Sequence, residues 1–167
     1  MKKPISETDS TITDCIERAG VDFICSVPCN MLAGILREID RRRIPHVPVC
    51  REEEGVGVAA GAALAGRRPL LLMQNSGLGN AINALLSLTG LYHLPLFLLM
   101  SHRGQKGERI AAQVPMGMCV PRLLHAVRVP CLPVAAVAAL PGLEQAMRAA
   151  YRSQTIRAAL LSGRLWK

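Results

Sequence analysis

The run Pro69-Leu70-Leu71-Leu72-Met73 constrains the fold of this chain more than any other feature. Successive side chains of a strand point to opposite faces, so an unbroken apolar strand has no face to offer water. It needs cover on both sides, as in a parallel sheet flanked by helices. The remaining segments fit that arrangement. Ile12, Cys15 and Ile16 give helical spacing to residues 7–18, and Gly20 stops that helix. Residues 21–27 form a short β-rich run ended by Pro28, and Asn30 is placed to cap a second helix reaching about Arg43. Met31, Leu32, Ile35, Leu36 and Ile39 would lie on its buried side. A strand over 46–50 precedes an Ala/Gly-rich helix, 52–65, that Gly66 terminates.

After the leucine strand come a helix over 78–88 and a strand over 95–100. Residues 101–118, charged and glycine-containing, read as a long loop over a working surface. Residues 120–127 read as a short helix and 129–134 as a weak strand interrupted by prolines. A helix over 135–152, disturbed at its start by Pro141 and Gly142, leads to a last strand over 156–162. The alternation predicts one α/β domain over residues 1–167, a doubly wound, mainly parallel sheet of about six strands flanked by helices.

Half of the 167 residues are hydrophobic but only 3% are aromatic, so Leu, Ile, Val, Ala and Met must build the core. No apolar run reaches the ~20 residues needed to span a bilayer. Met1-Lys2-Lys3-Pro4 is followed by polar residues, not by the apolar stretch of a signal peptide. A soluble, cytoplasmic protein is expected. None of the six cysteines has the two-residue spacing of a zinc or redox site, so buried structural thiols are expected. Cys29 is set apart because it falls just after a strand. The net charge of +8 invites a nucleic-acid reading. Scattered basic residues, few stacking aromatics and no recognition-helix motif argue against it. A small dianionic substrate or an acidic partner subunit suits the charge better. Arg41, Arg42 and Arg43 read as a solvated helix end, and His46, His93 and His125 as structural, with no metal site.

Two stretches carry chemistry. Arg51-Glu52-Glu53-Glu54-Gly55-Val56-Gly57-Val58-Ala59-Ala60-Gly61 places carboxylates where a strand gives way to a helix. Glutamate is favoured in the first turn of any helix, and that ordinary role suffices for two of the three. The helix beyond has so little bulk that a second helix or subunit can approach closely. In Gln74-Asn75-Ser76-Gly77-Leu78-Gly79-Asn80-Ala81 a buried strand ends in polar side chains, and a glycine turn opens a helix. Such a turn offers backbone N–H groups at the carboxyl edge of a sheet. A dinucleotide fingerprint would need a third glycine where Ile82 stands, and it would follow the first strand.

Together these segments resemble the pyrimidine-binding domain of thiamine diphosphate enzymes, in particular the sulfopyruvate and phosphonopyruvate decarboxylases. The likeness includes residues 20–28, the two stretches above, Ser101-His102-Arg103-Gly104 and Ala159-Leu160-Leu161-Ser162. Its wording matches the α subunits of sulfopyruvate decarboxylases, found in methanogens that make coenzyme M. The resemblance implies that Glu52, seven positions before Ala59, is the family's catalytic glutamate, in a buried, mostly apolar position. It would hydrogen-bond the pyrimidine N1′ and favour the imino tautomer that deprotonates the thiazolium C2. Gln74, Asn75, Gly77 and Pro28 would line the cofactor. The family's Gly-Asp-Gly signature for Mg²⁺ and diphosphate does not occur here. The resemblance therefore implies that a β subunit carries the pyrophosphate domain and Mg²⁺ in a hetero-oligomer, with a possible homo-oligomer of the isolated chain. For the anionic 2-oxoacid substrate, His102, Arg103, Lys106 and Asn30 are the candidate contacts. A helix cap competes for Asn30, packing for Cys29, a backbone hydrogen bond at the strand end for His102, and solvation for Arg103 and Lys106. A phosphonopyruvate decarboxylase subunit and a catalytically idle assembly domain of the same fold are the alternatives.

Overall fold

The computed structural model describes residues 4–166; the opening residues 1–3, part of the start judged for a leader, and Lys167 lie outside the described residues. Among those described, six strands form one sheet: β1 (Phe23–Ser26), β2 (His46–Pro48), β3 (Pro69–Gln74), β4 (Leu96–His102), β5 (Cys131–Val134) and β6 (Ile156–Ser162). Their spatial order is β2-β1-β3-β4-β6-β5, and every neighbouring pair is parallel. The helices are α1 (Glu7–Arg18), α2 (Ala33–Arg41), α3 (Glu52–Leu64), α4 (Leu78–Ala84), α5 (Val114–Ala126) and α6 (Leu140–Ser153). None is long and apolar enough to cross a membrane.

The leucine run behaves as its sequence demands. Leu70 and Leu72 pack with α1, α2 and α6 on one face, while Leu71 and Met73 pack with α3, α4 and α5 on the other. All four are fully buried, each contributing roughly 1.5–3 kcal/mol of hydrophobic stabilisation. Ser6 opens α1 through a capping box with Asp9. Gly20, at φ +79°, takes the left-handed conformation that follows α1.

Four sequence expectations are corrected. Asn30 does not cap a helix: it lies exposed in a short 3₁₀ turn, Asn30–Leu32, and α2 starts only at Ala33. The long loop over 101–118 is much shorter, because β4 runs on to His102 and α5 begins at Val114. Pro115 falls in the first turn of α5, where a missing N–H costs no helical bond. Pro141 likewise starts α6 instead of disturbing it. Arg42 is a tertiary clamp and not a solvated charge, since its guanidinium meets Asp14, Glu17 and the buried Glu38 at 2.5–2.7 Å. Hydrogen bonds from Arg41 and Arg42 hold the Glu38 carboxyl down at about 2 despite its burial.

The winding sets where ligands can enter. From β1 the chain turns to α2 on one face, and from β3 to α4 on the other. From β4 it continues to α5 on that second face, whereas β6 leads to Gly163–Trp166, whose Leu165 belongs to the first. The chain therefore leaves the sheet in opposite directions on either side of β1, whose neighbours β2 and β3 lead to α3 and α4 on the second face. It does so again at β4/β6. Each divergence opens a crevice at the carboxyl edge, where open α/β sheets bind ligands.

Candidate active site

The first crevice is bounded by the ends of β1 and β3 and by the start of α3. Glu52, the first residue of α3, is half-buried. Its carboxylate lies directly over Gly77, so closely that a Cβ at that position would overlap it. A side chain at 77 would therefore have to push the Glu52 carboxylate out of this seat. Asn80, one turn further along α4, donates its amide N–H to Glu52 Oε2 at 3.0 Å. Among the described residues Oε1 has no hydrogen-bond partner. Contrary to the expectation of an apolar burial, this chain alone leaves the carboxylate partly open, with one oxygen anchored and one available.

The neighbouring glutamates have ordinary work. Glu53 pairs with Arg51 at 2.7 Å, and Glu54 Oε2 accepts the backbone N–H of Cys50 at 2.9 Å. Gly55 is buried against Leu71 of β3, whereas a Cβ at Gly57 or Gly61 would meet nothing. A glycine in a helix interior costs about 1 kcal/mol relative to alanine. Among the described residues no packing explains that cost at 57 and 61.

At the end of β3, Gln74 Nε2 donates to Ser76 Oγ (2.5 Å) and to Gln113 Oε1 (2.8 Å). Gln74 Oε1 lies 3.9 Å from Cys29 Sγ, which also approaches Ser101 Oγ at 3.4 Å. Cys29 is buried and packs with the core, and Pro28 before it is exposed on the same edge. Cys15, Cys25 and Cys29 are buried as expected of structural thiols, but Cys50 and Cys119 are exposed.

Asn75 must be reassigned. It is completely buried, donates through Nδ2 to the carbonyl of Arg103 (3.2 Å) and accepts the Arg103 N–H through Oδ1 (3.0 Å). With donor and acceptor so engaged, it staples the β4–α5 loop instead of facing a cofactor. Arg103 is corrected too. Its guanidinium makes a bidentate pair with Glu108, at 2.8 and 2.7 Å, so its charge is spent within the loop. The Glu108 carboxyl is held well below the usual carboxylate range by Arg103 first, then by the N–H groups of Gly104 and Ile110. His102 Nε2 donates to the Gly117 carbonyl at 3.1 Å, the backbone role that competed with a catalytic one. Lys106 is exposed, facing the second crevice, and Asn30 is exposed at the edge.

Three participants escaped the sequence reading. Asn80 stood in plain view within the glycine turn, but an asparagine three residues into a helix carries no distinguishing signal. Gln113 lay in the segment read as loop. Glu108 could have been suspected from its five-residue spacing to Arg103 on a glycine-bearing loop. Among the described residues no group of three or more His, Cys, Asp and Glu could hold a metal ion.

Comparison with known proteins bears on this edge. Residues 7–118 match the family model described as thiamine pyrophosphate enzyme, N-terminal TPP binding domain. The chain is 52% identical over 113 residues to the sulfopyruvate decarboxylase subunit alpha of Methanococcus maripaludis, covering 67% of this chain and 68% of that one. It is 34% identical over 159 residues to the sulfopyruvate decarboxylase of Methanosarcina acetivorans, covering 95% of this chain but 41% of that longer protein. Its fold matches 2-oxoglutarate:ferredoxin oxidoreductase from Magnetococcus marinus with a TM-score of 0.73. There the identity is 14%, and the match spans 93% of this chain and 28% of that one. The matched residues contain both edges of the first crevice, Glu52 and Gly77 included, and the chain belongs to the thiamine pyrophosphate enzyme family, as its N-terminal TPP binding domain.

Proposed function

We propose that the chain is the α subunit of a thiamine-diphosphate-dependent decarboxylase of coenzyme M biosynthesis. It would take 3-sulfopyruvate and one proton to sulfoacetaldehyde and carbon dioxide. The observation that carries this reading is the Glu52 carboxylate, seated over a glycine, with Oε2 tied to Asn80 and Oε1 left available. The sulfopyruvate decarboxylases to which the chain is similar support the choice of substrate.

The residues present fit the pyrimidine end of the cofactor. An aminopyrimidine presents one ring nitrogen suited to a carboxyl group, and Glu52, a half-buried residue, keeps Oε1 without a hydrogen-bond partner among the described residues. Glu52 would hold the proton shared with that nitrogen, while Asn80 fixes the rotamer. Gln74, Gly77 and Pro28 would line the same crevice. Bound thiamine diphosphate supplies the nucleophilic carbon and the electron sink for decarboxylation.

In the family the diphosphate and its Mg²⁺ call for a Gly-Asp-Gly signature, which does not occur in these 167 residues. We place both on a cytoplasmic partner, a β subunit, with the cofactor across the contact. The open glycines of α3 support such a contact, because a partner's backbone or helix can approach closest where side chains are missing. Exposed Leu64 and Leu86 give the α3–α4 region apolar surface that association would bury.

Reconstitution tests the proposal. The chain, combined with a β subunit, thiamine diphosphate and Mg²⁺, should release carbon dioxide from 3-sulfopyruvate, and each protein alone should not. Release from phosphonopyruvate and not from sulfopyruvate would move the assignment to the phosphonate substrate. No release from either acid by an assembled complex would leave the idle assembly domain.

A further inference from the structure

The second crevice, at β4/β6, is a cleft of about 520 Å³ lined by the β4–α5 loop, by Met31 and by the turn after β6. Three exposed cations line it, Lys106, Arg109 and Arg164, and none has an ion-pair partner among the described residues. The one acid in its wall, Glu108, is fully occupied by Arg103 and by two backbone N–H groups. The cleft therefore carries an uncompensated positive charge.

Its walls are held firmly. Gly104, at φ +80°, is pressed against Gly117 of α5 so closely that neither could carry a side chain without collision. Ser162 Oγ donates to Gln105 Oε1 at 2.7 Å and ties the loop to the end of β6. Arg164 is set by contacts across 157 residues of sequence: Trp166 Nε1 donates to the buried Asp9 at 2.8 Å, and Thr8 Oγ1 donates to the Leu165 carbonyl at 3.2 Å. These contacts fix the backbone from which the exposed Arg164 side chain extends into the cleft.

The two crevices are connected through named contacts. Glu52 lies on Gly77, the same 3₁₀ turn holds Asn75, and Asn75 holds the backbone of Arg103 at the mouth of the cleft. We infer that the β4/β6 cleft is the subsite for the terminal tetrahedral oxyanion of the substrate, bound by Arg109 and Arg164 with Lys106. This rests on the decarboxylase reading above and makes these three cations, not Arg103, the determinants of specificity for an anionic 2-oxoacid. A sulfonate and a phosphonate share the required geometry, and pyruvate lacks it.

The test uses the reconstituted α–β complex with Arg109→Ala and Arg164→Ala, both substitutions of exposed side chains. Preference is measured as kcat/KM for sulfopyruvate, and for phosphonopyruvate, relative to pyruvate. Each variant should lose this preference roughly 10- to 100-fold, mainly through KM, as expected for a lost hydrogen bond to a charged group. An unchanged preference would overturn the inference. The larger loss, on sulfopyruvate or on phosphonopyruvate, identifies which oxyanion the cleft prefers. Should the wild-type complex turn over neither acid, the decarboxylase reading fails, and calorimetric binding of 3-sulfopropanoate against propanoate still tests the cleft. Tighter sulfonate binding that both variants lose supports it; equal binding of the two acids overturns it.

Discussion

The two stretches that make up the working edge treat their carboxylates in opposite ways. At the start of α3, Glu52 has one oxygen bound by Asn80 and one unused, with a glycine cleared away beneath it. In the β4–α5 loop, Glu108 receives two guanidinium and two backbone hydrogen bonds and has nothing left to give. The lesson is that a charged residue at a binding edge is available for chemistry only to the extent that its own chain leaves it unsatisfied. Glu108 is committed to the scaffold, whereas Glu52 keeps one oxygen without a partner among the described residues. By the same rule Arg103 is structural, while Arg109 and Arg164 are free to bind.

Exchanging the two glutamates for glutamine should separate these roles. In the reconstituted enzyme Glu52→Gln should lower turnover roughly a thousand-fold or more, with assembly intact, because a positioned acid–base group contributes on that scale. A loss below ten-fold would equate Glu52 with the ordinary first-turn glutamates beside it. Gly77→Val should come next. Its side chain would enter the space of the Glu52 carboxylate and displace it, and displacements near 1 Å can cost about 100-fold in kcat. Normal turnover in a folded Gly77→Val complex would show that the seat over glycine is not needed.

Glu108→Gln should have the smallest effect on chemistry and a clear effect on stability. The folded-state pKa of Glu108 is depressed, so its contribution is complete above the unfolded value near 4.5 and is lost as pH falls below it. Thermal melts between pH 6 and 3 should therefore decline less steeply in the variant than in the wild type. Glu38, held at about 2, adds to the same acid-side slope through α1 and α2 and is unaffected by the substitution. Parallel curves would mean that the loop pair contributes nothing to the folded state.

Much of this edge is legible in the amino-acid sequence. Unbroken apolar runs located β3 and β4, and Gly20 and Gly66 marked true helix ends. What failed did so where meaning depends on a partner far away in sequence. Pro115 and Gly117 look like helix breakers in isolation. One falls harmlessly in a first turn, and the other is small because Gly104 presses on it. Asn75 and Asn80 are both asparagines in one polar turn, yet Asn75 staples a loop and Asn80 orients the glutamate. Only the positions of Arg103 and Glu52 distinguish them. Arg42 and Arg103 looked like free charges because their acidic partners become neighbours only after folding.

The central claim is that the Glu52 carboxyl activates a thiamine cofactor. Its most direct measurement is the exchange rate of the C2 proton of bound thiamine diphosphate, followed in deuterated solvent by acid quench and NMR without substrate. The account predicts fast exchange in the wild-type complex and a rate lowered by orders of magnitude in Glu52→Gln at equal cofactor occupancy. Equal exchange rates in the two complexes would contradict it.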